Sequence, residues 1–85
     1  MTEQINNEKN KCPCCGYYTL PGVGAYDICP VCFWEDDPVQ EDEPEYEGGA
    51  NDLSLTECRR NYKLFGACEE RFCERVRKPL PEEMG

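Results

Sequence analysis

The chain has 85 residues, nine Lys and Arg against eighteen Asp and Glu, a formal charge of -9 and no histidine. That length is one small domain, the missing imidazole excludes His-based triads, His-ligated catalytic metals and His proton shuttles, and the acidic balance excludes nucleic-acid binding through bulk positive charge. A core built from 39% apolar residues at this size needs a supplement, and eight cysteines supply one as disulfides or as metal ligands.

Residues 1–10 begin a polar run, MTEQINNEKNK to Lys11, with none of the apolar stretch that a signal peptide requires, and they read as a loose N-terminal tail. No window approaches a membrane span. The expectation is a cytoplasmic chain whose thiols stay reduced and bind metal.

Residues 11–34 carry five cysteines. Here Tyr17–Leu20 and Gly24–Ile28 have the aromatic and β-branched character of short strands, and Pro21-Gly22 is a turn signal, so the two are expected to pair as a hairpin. Residues 35–50 open with Glu35, Asp36 and Asp37 and continue through Glu41, Asp42, Glu43, Glu45 and Glu47; with Pro38, Pro44 and Gly48-Gly49 this stretch reads as an acidic loop. From 54 to 78 the expectation is helical. Ser54 and Glu57 have capping-box spacing, Leu55, Cys58, Tyr62 and Phe65 form an apolar stripe, and Gly66 ends the helix. A second helix is expected from about Ala67 to Lys78 on Cys68, Phe72 and Val76, followed by a tail over 79–85.

Two C-x-x-C pairs stand thirteen residues apart, Cys12/Cys15 and Cys29/Cys32, each containing proline after its first cysteine. A tight C-P-x-C turn aims two thiolates at one point, and bringing the two turns together closes four sulfurs around a tetrahedral ion. Gly16 after the first pair takes a positive φ without strain; Phe33 occupies the same place in the second, where the geometry should be less relaxed. These four cysteines are therefore the expected ligands of one structural Zn²⁺. Cys14 cannot easily join the same tetrahedron as its neighbour and reads as a packed thiol, a ligand-swap partner or a reactive group. Cys58, Cys68 and Cys73 are expected to line the helical core.

The runs CPCCGYYTL (12–20), YDICPVCFWEDD (26–37) and GGANDLSLTECRRNY (48–62) resemble the bacterial cysteine-rich CPCC domain family, and each C-P-x-C turn resembles a rubredoxin-type zinc knuckle. The resemblance covers about residues 11–66 and leaves the stretch after Gly66, with Cys68 and Cys73, largely outside. It implies a compact metal-binding domain, with the family motif falling on Cys12, Cys14, Cys15, Cys29 and Cys32. The fold expected from all of this is a small α+β metal-stabilised domain: a zinc-knuckle β-hairpin packed on one or two C-terminal helices.

A four-thiolate site is coordinatively closed, so a non-enzymatic module is expected rather than a catalytic metal centre. The zinc-deaminase signature fails, because Ile28 rather than proline precedes Cys29 and no glutamate stands two places after Cys12. The enzyme alternative is a thiol redox protein using Cys14 with the C-x-x-C pairs. For a module, the candidate partner surface is Phe33, Trp34, Glu35, Asp36 and Asp37 with Glu41, Asp42 and Glu43, facing a basic protein; Trp34 as the buried lid of the knuckles is the competing reading. A nucleic-acid role would fall to Arg59, Arg60 and Lys63, which otherwise offset the domain's own acids.

Overall fold

The computed structural model describes residues 9–84. Its elements are strands β1 (Asn10–Lys11) and β2 (Tyr18–Leu20), helices α1 (Pro38–Asp42) and α2 (Leu55–Phe65), and short 3-10 turns over Glu70–Arg75 and Pro81–Glu83. This is a small α+β domain around a cysteine cluster. Residues 1–8 and 85 of the two expected tails lie outside the described residues.

The hairpin is not the one the turn signal at Pro21-Gly22 predicts. β2 pairs antiparallel with β1, across the first C-P-x-C turn, with Asn10 opposite Leu20. The 24–28 segment turns instead to the far side of the second knuckle. Ile28 bridges Glu35, Tyr26 N–H donates to the Asp36 carbonyl at 3.1 Å, and Asp36 N–H donates to the Asp27 carbonyl at 3.0 Å. The reason is local: each knuckle reverses the chain with its own backbone hydrogen bonds, Cys12 N–H to the Tyr17 carbonyl and Cys29 N–H to the Trp34 carbonyl, and so sets its two flanks side by side.

The acidic segment is not a loop throughout. Asp37 caps α1, its Oδ1 accepting from Val39 N–H at 2.8 Å and Gln40 N–H at 3.4 Å, and Pro38 sits in the first turn with φ already set. The other oxygen, Oδ2, accepts from Ala50 N–H at 2.9 Å, and Asp36 Oδ2 accepts from Gly24 N–H at 2.7 Å. Both carboxylates are buried, and these backbone donors satisfy them. Gln40 is fully buried and donates from Nε2 to the carbonyls of Tyr46, Asn51 and Leu53, each at 3.1 Å. Its Oε1 accepts from Asn51 N–H and Nδ2. Asn51 in turn holds both backbone groups of Glu35. Gly49 must be glycine, since a Cβ there would stand 2.6 Å from Asp37 Oδ2 and 2.8 Å from Gln40 Cδ.

α2 follows its sequence signals. Ser54 Oγ accepts from Glu57 N–H at 3.2 Å, Leu55 and Cys58 are buried, and Gly66 closes the helix at φ 80° with its N–H on the Tyr62 carbonyl, but of the expected stripe Tyr62 is half-buried and Phe65, in the last turn, is exposed. The expected second α-helix does not form. Cys68 N–H donates to the Cys32 carbonyl at 2.7 Å and Arg77 N–H to the Pro30 carbonyl at 3.2 Å, so the 67–78 stretch spends backbone donors on the second knuckle. What remains is the 3-10 turn, from which Phe72 packs on Phe33 with ring centroids 4.6 Å apart and Arg71 lies over Phe72 at 4.5 Å.

The 79–84 stretch also departs from a free tail. Pro81–Glu83 packs against β2, and the buried Glu83 carboxylate accepts from Arg77 at 2.9 and 2.8 Å and from Leu80 N–H at 2.8 Å. Hydrogen bonds from Arg77, more than the opposing burial, hold the Glu83 carboxyl below its ordinary range. Because the folded value is depressed, this clasp stabilises the domain above the free-carboxyl range and is lost as pH falls through the lowered value. The protection of the Leu80 amide against exchange, relative to its intrinsic rate, should therefore fall on acidification and lose that pH dependence in Glu83→Gln. Replacing Gln40 with Met should cost roughly 2–4 kcal/mol in urea unfolding of the metal-loaded protein, because the buried Asn51 carbonyl and the part-buried Tyr46 and Leu53 carbonyls lose their donor and the Asn51 amide its acceptor. Exposed Glu41→Gln should stay within about 0.5 kcal/mol.

Candidate metal centre

The two knuckles share one backbone design. Cys12 N–H donates to the Tyr17 carbonyl at 2.8 Å and Gly16 N–H to the Cys12 carbonyl at 2.8 Å; Cys29 N–H donates to the Trp34 carbonyl at 3.0 Å and Phe33 N–H to the Cys29 carbonyl at 2.8 Å. Gly16 and Phe33 occupy the same left-handed place, at φ 83° and 72°. For phenylalanine that conformation costs on the order of 1–2 kcal/mol, and its packing on Phe72 offsets it. Positions 14 and 31 are equivalent, and both side chains, Cys14 and Val31, are buried.

The design brings the four expected ligands together. The Sγ atoms of Cys12, Cys15, Cys29 and Cys32 all lie within 4.8 Å of one another. Cys12 and Cys32 are 3.6 Å apart, Cys15 and Cys29 3.7 Å. Sulfurs bonded at about 2.3 Å in a regular tetrahedron would stand about 3.8 Å apart, so the cluster fits one tetrahedral ion closely. Among the described residues no other group of three or more metal-ligating side chains converges in this way. Cys12, Cys29 and Cys32 are fully buried; Cys15 is half-buried. It borders a cleft of about 420 Å³ whose walls include Lys11, Pro13, Cys14, Glu41 and Arg59.

The four thiols are electrostatically unequal. The Cys29 thiol is held below its ordinary range by hydrogen bonds from Cys12, then Cys15 and Cys32, with Thr19 adding to them. The Cys12 thiol is pushed up by its contacts with Cys15 and Cys29, and the Cys32 thiol by those with Cys12 and Cys14. Bringing four thiolates together in a buried space is unfavourable without a cation, and a divalent ion supplies the missing positive charge while the protons leave. Thr19, which the sequence reading does not single out, lies with Oγ1 3.0 Å from Cys29 Sγ, and Val31 N–H donates to the same sulfur at 3.4 Å. A threonine on a short strand carries no signal of this contact until the pairing across the knuckle is known.

The remaining candidates divide. Trp34 is fully buried in the core with the cysteines, which settles its place as the lid and removes it from any partner surface; its indole N–H finds no acceptor among the described residues. Phe33 is half-buried against Phe72, Glu35 is half-buried and tied to Asn51, and Asp36 and Asp37 are internal. Glu41, Asp42 and Glu43 are exposed. Cys58 and Cys68 lie in the core, where burial and contact with Cys58 push the Cys68 thiol up, whereas Cys73 is exposed and does not line the core. Arg59, Arg60 and Lys63 are exposed, and Arg59 donates from Nε to the Pro13 carbonyl at 2.9 Å. Among the described residues the ion pairs to acids come from Arg71 and Arg77 instead.

Cys29→Ser should abolish tight metal binding, while Cys73→Ser should leave it unaltered. Thr19→Val should keep the metal but weaken it about tenfold in competition with a chromophoric chelator, since a hydrogen-bond partner of a ligand is lost and not the ligand.

Comparison with curated proteins finds no match. The sequence profile of the cysteine-rich CPCC family matches residues 10–83. The match extends past Gly66, so Cys68, Cys73 and the Arg77–Glu83 clasp fall inside the family region and not beyond it. No described helix is long and apolar enough to cross a membrane. Both knuckles, α2 and the C-terminal turns lie within the matched region, and the chain belongs to the cysteine-rich CPCC family.

Proposed function

We propose that this protein is a non-enzymatic interaction module, held in shape by one structural Zn²⁺ on Cys12, Cys15, Cys29 and Cys32, whose acidic surface meets a basic protein partner. The observation that carries the metal reading is the sulfur spacing of 3.6 and 3.7 Å in a cluster with three ligands fully buried. Tetrahedral thiolate sets suit zinc, and four protein ligands leave no position for water or substrate. Zinc there contributes apparent binding energy of about 10–16 kcal/mol, more than a small domain's ordinary stability.

The partner reading rests on Glu41, Asp42 and Glu43, exposed on and just after α1, with exposed Glu45 and Glu47 beyond them. Buried Gln40 anchors this helix by several hydrogen bonds, so the charges are displayed from a fixed element. A fixed patch of one sign steers an oppositely charged partner and makes its capture salt-dependent. Inhibition of such a partner is the simplest role for a domain of this size. A redox role has less support, because Cys14, the thiol it needs, is only 7% exposed. A reducing cytoplasm is the compartment consistent with free thiolate ligands.

Elemental analysis should give one zinc per chain, and removal by chelator should erase the near-UV circular dichroism of the folded state. Protein that keeps its native spectrum and melting point after metal loss would refute the structural role. Changing Glu41→Gln, Asp42→Asn and Glu43→Gln together should slow capture of the basic partner and flatten its salt dependence. Association unchanged by the triple variant would remove the acidic surface from consideration.

A further inference from the structure

The two knuckles differ at one core position and at one edge. In the second, the residue between proline and the last cysteine is Val31, a buried apolar side chain; in the first it is Cys14, equally inward and in the same core cluster as Cys12, Cys29 and Cys32. The first knuckle is also the open one. Its Cys15 is the half-buried member of the tetrad and borders the cleft beside Arg59, whereas both cysteines of the second knuckle are sealed. The most open sulfur of the tetrad therefore stands next in sequence to a spare sulfur that borders the same cleft.

We propose that Cys14 is a reserve ligand: when Cys15 is lost to modification from the cleft, the Cys14 sulfur takes its place and the ion keeps four thiolates. Geometry permits the exchange. The ligand moves by one residue within a single turn, and Cys14 and Cys15 border the same cleft. With an alkylating agent the step balances simply. A carbon–sulfur bond forms at Cys15 as iodide leaves, Cys14 gives its proton to solvent, and its sulfur lone pair makes the fourth bond. Val31 offers no donor for the same exchange in the second knuckle, so Cys32 has no corresponding substitute there.

This inference rests on the metal reading above, and the test separates the two. Co²⁺ titrations of wild type, Cys15→Ser and Cys14→Val/Cys15→Ser read the number of thiolates from the sulfur-to-metal charge-transfer absorbance. Cys15→Ser should match wild type, and the double variant should lose one thiolate's share and with it tight binding, as Cys29→Ser does. In parallel, wild type and Cys14→Val loaded with Co²⁺ are treated with iodoacetamide and followed by native mass spectrometry and peptide mapping. Exposed Cys73 should label without effect on the ion. Wild type should retain its ion once Cys15 is modified, and Cys14→Val should release it. Cys15→Ser that fails to bind, or that behaves as the double variant, overturns the proposal. So does equal retention in both alkylated proteins, or modification of another tetrad cysteine before Cys15. Wild type that takes up no stoichiometric metal overturns the metal reading itself.

Discussion

Convergence of four sulfur atoms is the constraint on which the rest of this domain depends. Among the described residues eleven apolar ones are buried and six of these are cysteines, leaving Leu20, Val31, Trp34, Leu55 and Ala67 to supply ordinary hydrophobic packing. So small an apolar set cannot by itself specify the path of two knuckles and a long acidic segment. The tetrad can, because each knuckle is already reversed by its own backbone hydrogen bonds and needs only to be held against the other. Trp34, directly after the second knuckle, then covers the cluster, and β2 brings Thr19 to Cys29.

The acidic segment shows how a stretch of like charges is folded rather than merely tolerated. Its first three acids are turned inward or tied to backbone: Asp36 and Asp37 accept backbone N–H groups, and Glu35 is held through its own peptide by Asn51. Hydrogen bonding from fixed amides offsets the cost of burying these carboxylates, so no cation has to be brought to them. The later acids face water, and α1 orients them. One run of sequence thus serves two physical purposes, a polar core in its first part and a charged surface in its second.

Ligands, helix α2 and its caps were legible because their signals are local: two C-x-x-C spacings, Ser54, the Leu55/Cys58 stripe and Gly66. The pairing was not. Tyr17–Leu20 and Gly24–Ile28 look like partners across Pro21-Gly22, yet the competing turns are the knuckles themselves, whose reversal the cysteine pattern contains but a propensity reading does not weigh. α1 was legible in principle, since Asp37-Pro38 is an N-cap followed by a first-turn proline, but the density of charge around it outweighed that signal. Failure of the second helix lies beyond any local reading. Its periodic apolar residues are real, while its backbone donors at Cys68 and Arg77 are taken by carbonyls of a knuckle more than thirty residues earlier in the chain.

That same competition makes the two halves of the metal site unequal. The C-terminal strap ties down the second knuckle at both the Cys32 and Pro30 carbonyls and packs Phe72 against Phe33, which also holds the strained left-handed residue in place. Toward the first knuckle, α2 contributes the Arg59 contact to the Pro13 carbonyl, a bond at the protein surface that water competes for. The first knuckle has an aromatic brace of its own, since Tyr17, whose carbonyl accepts from Cys12 N–H, meets Tyr62 of α2 edge-on with ring centroids 6.4 Å apart. The two halves thus differ less in bracing than in exposure: both cysteines of the second knuckle are fully buried, while in the first the half-buried Cys15 shares its turn with an additional thiol, Cys14.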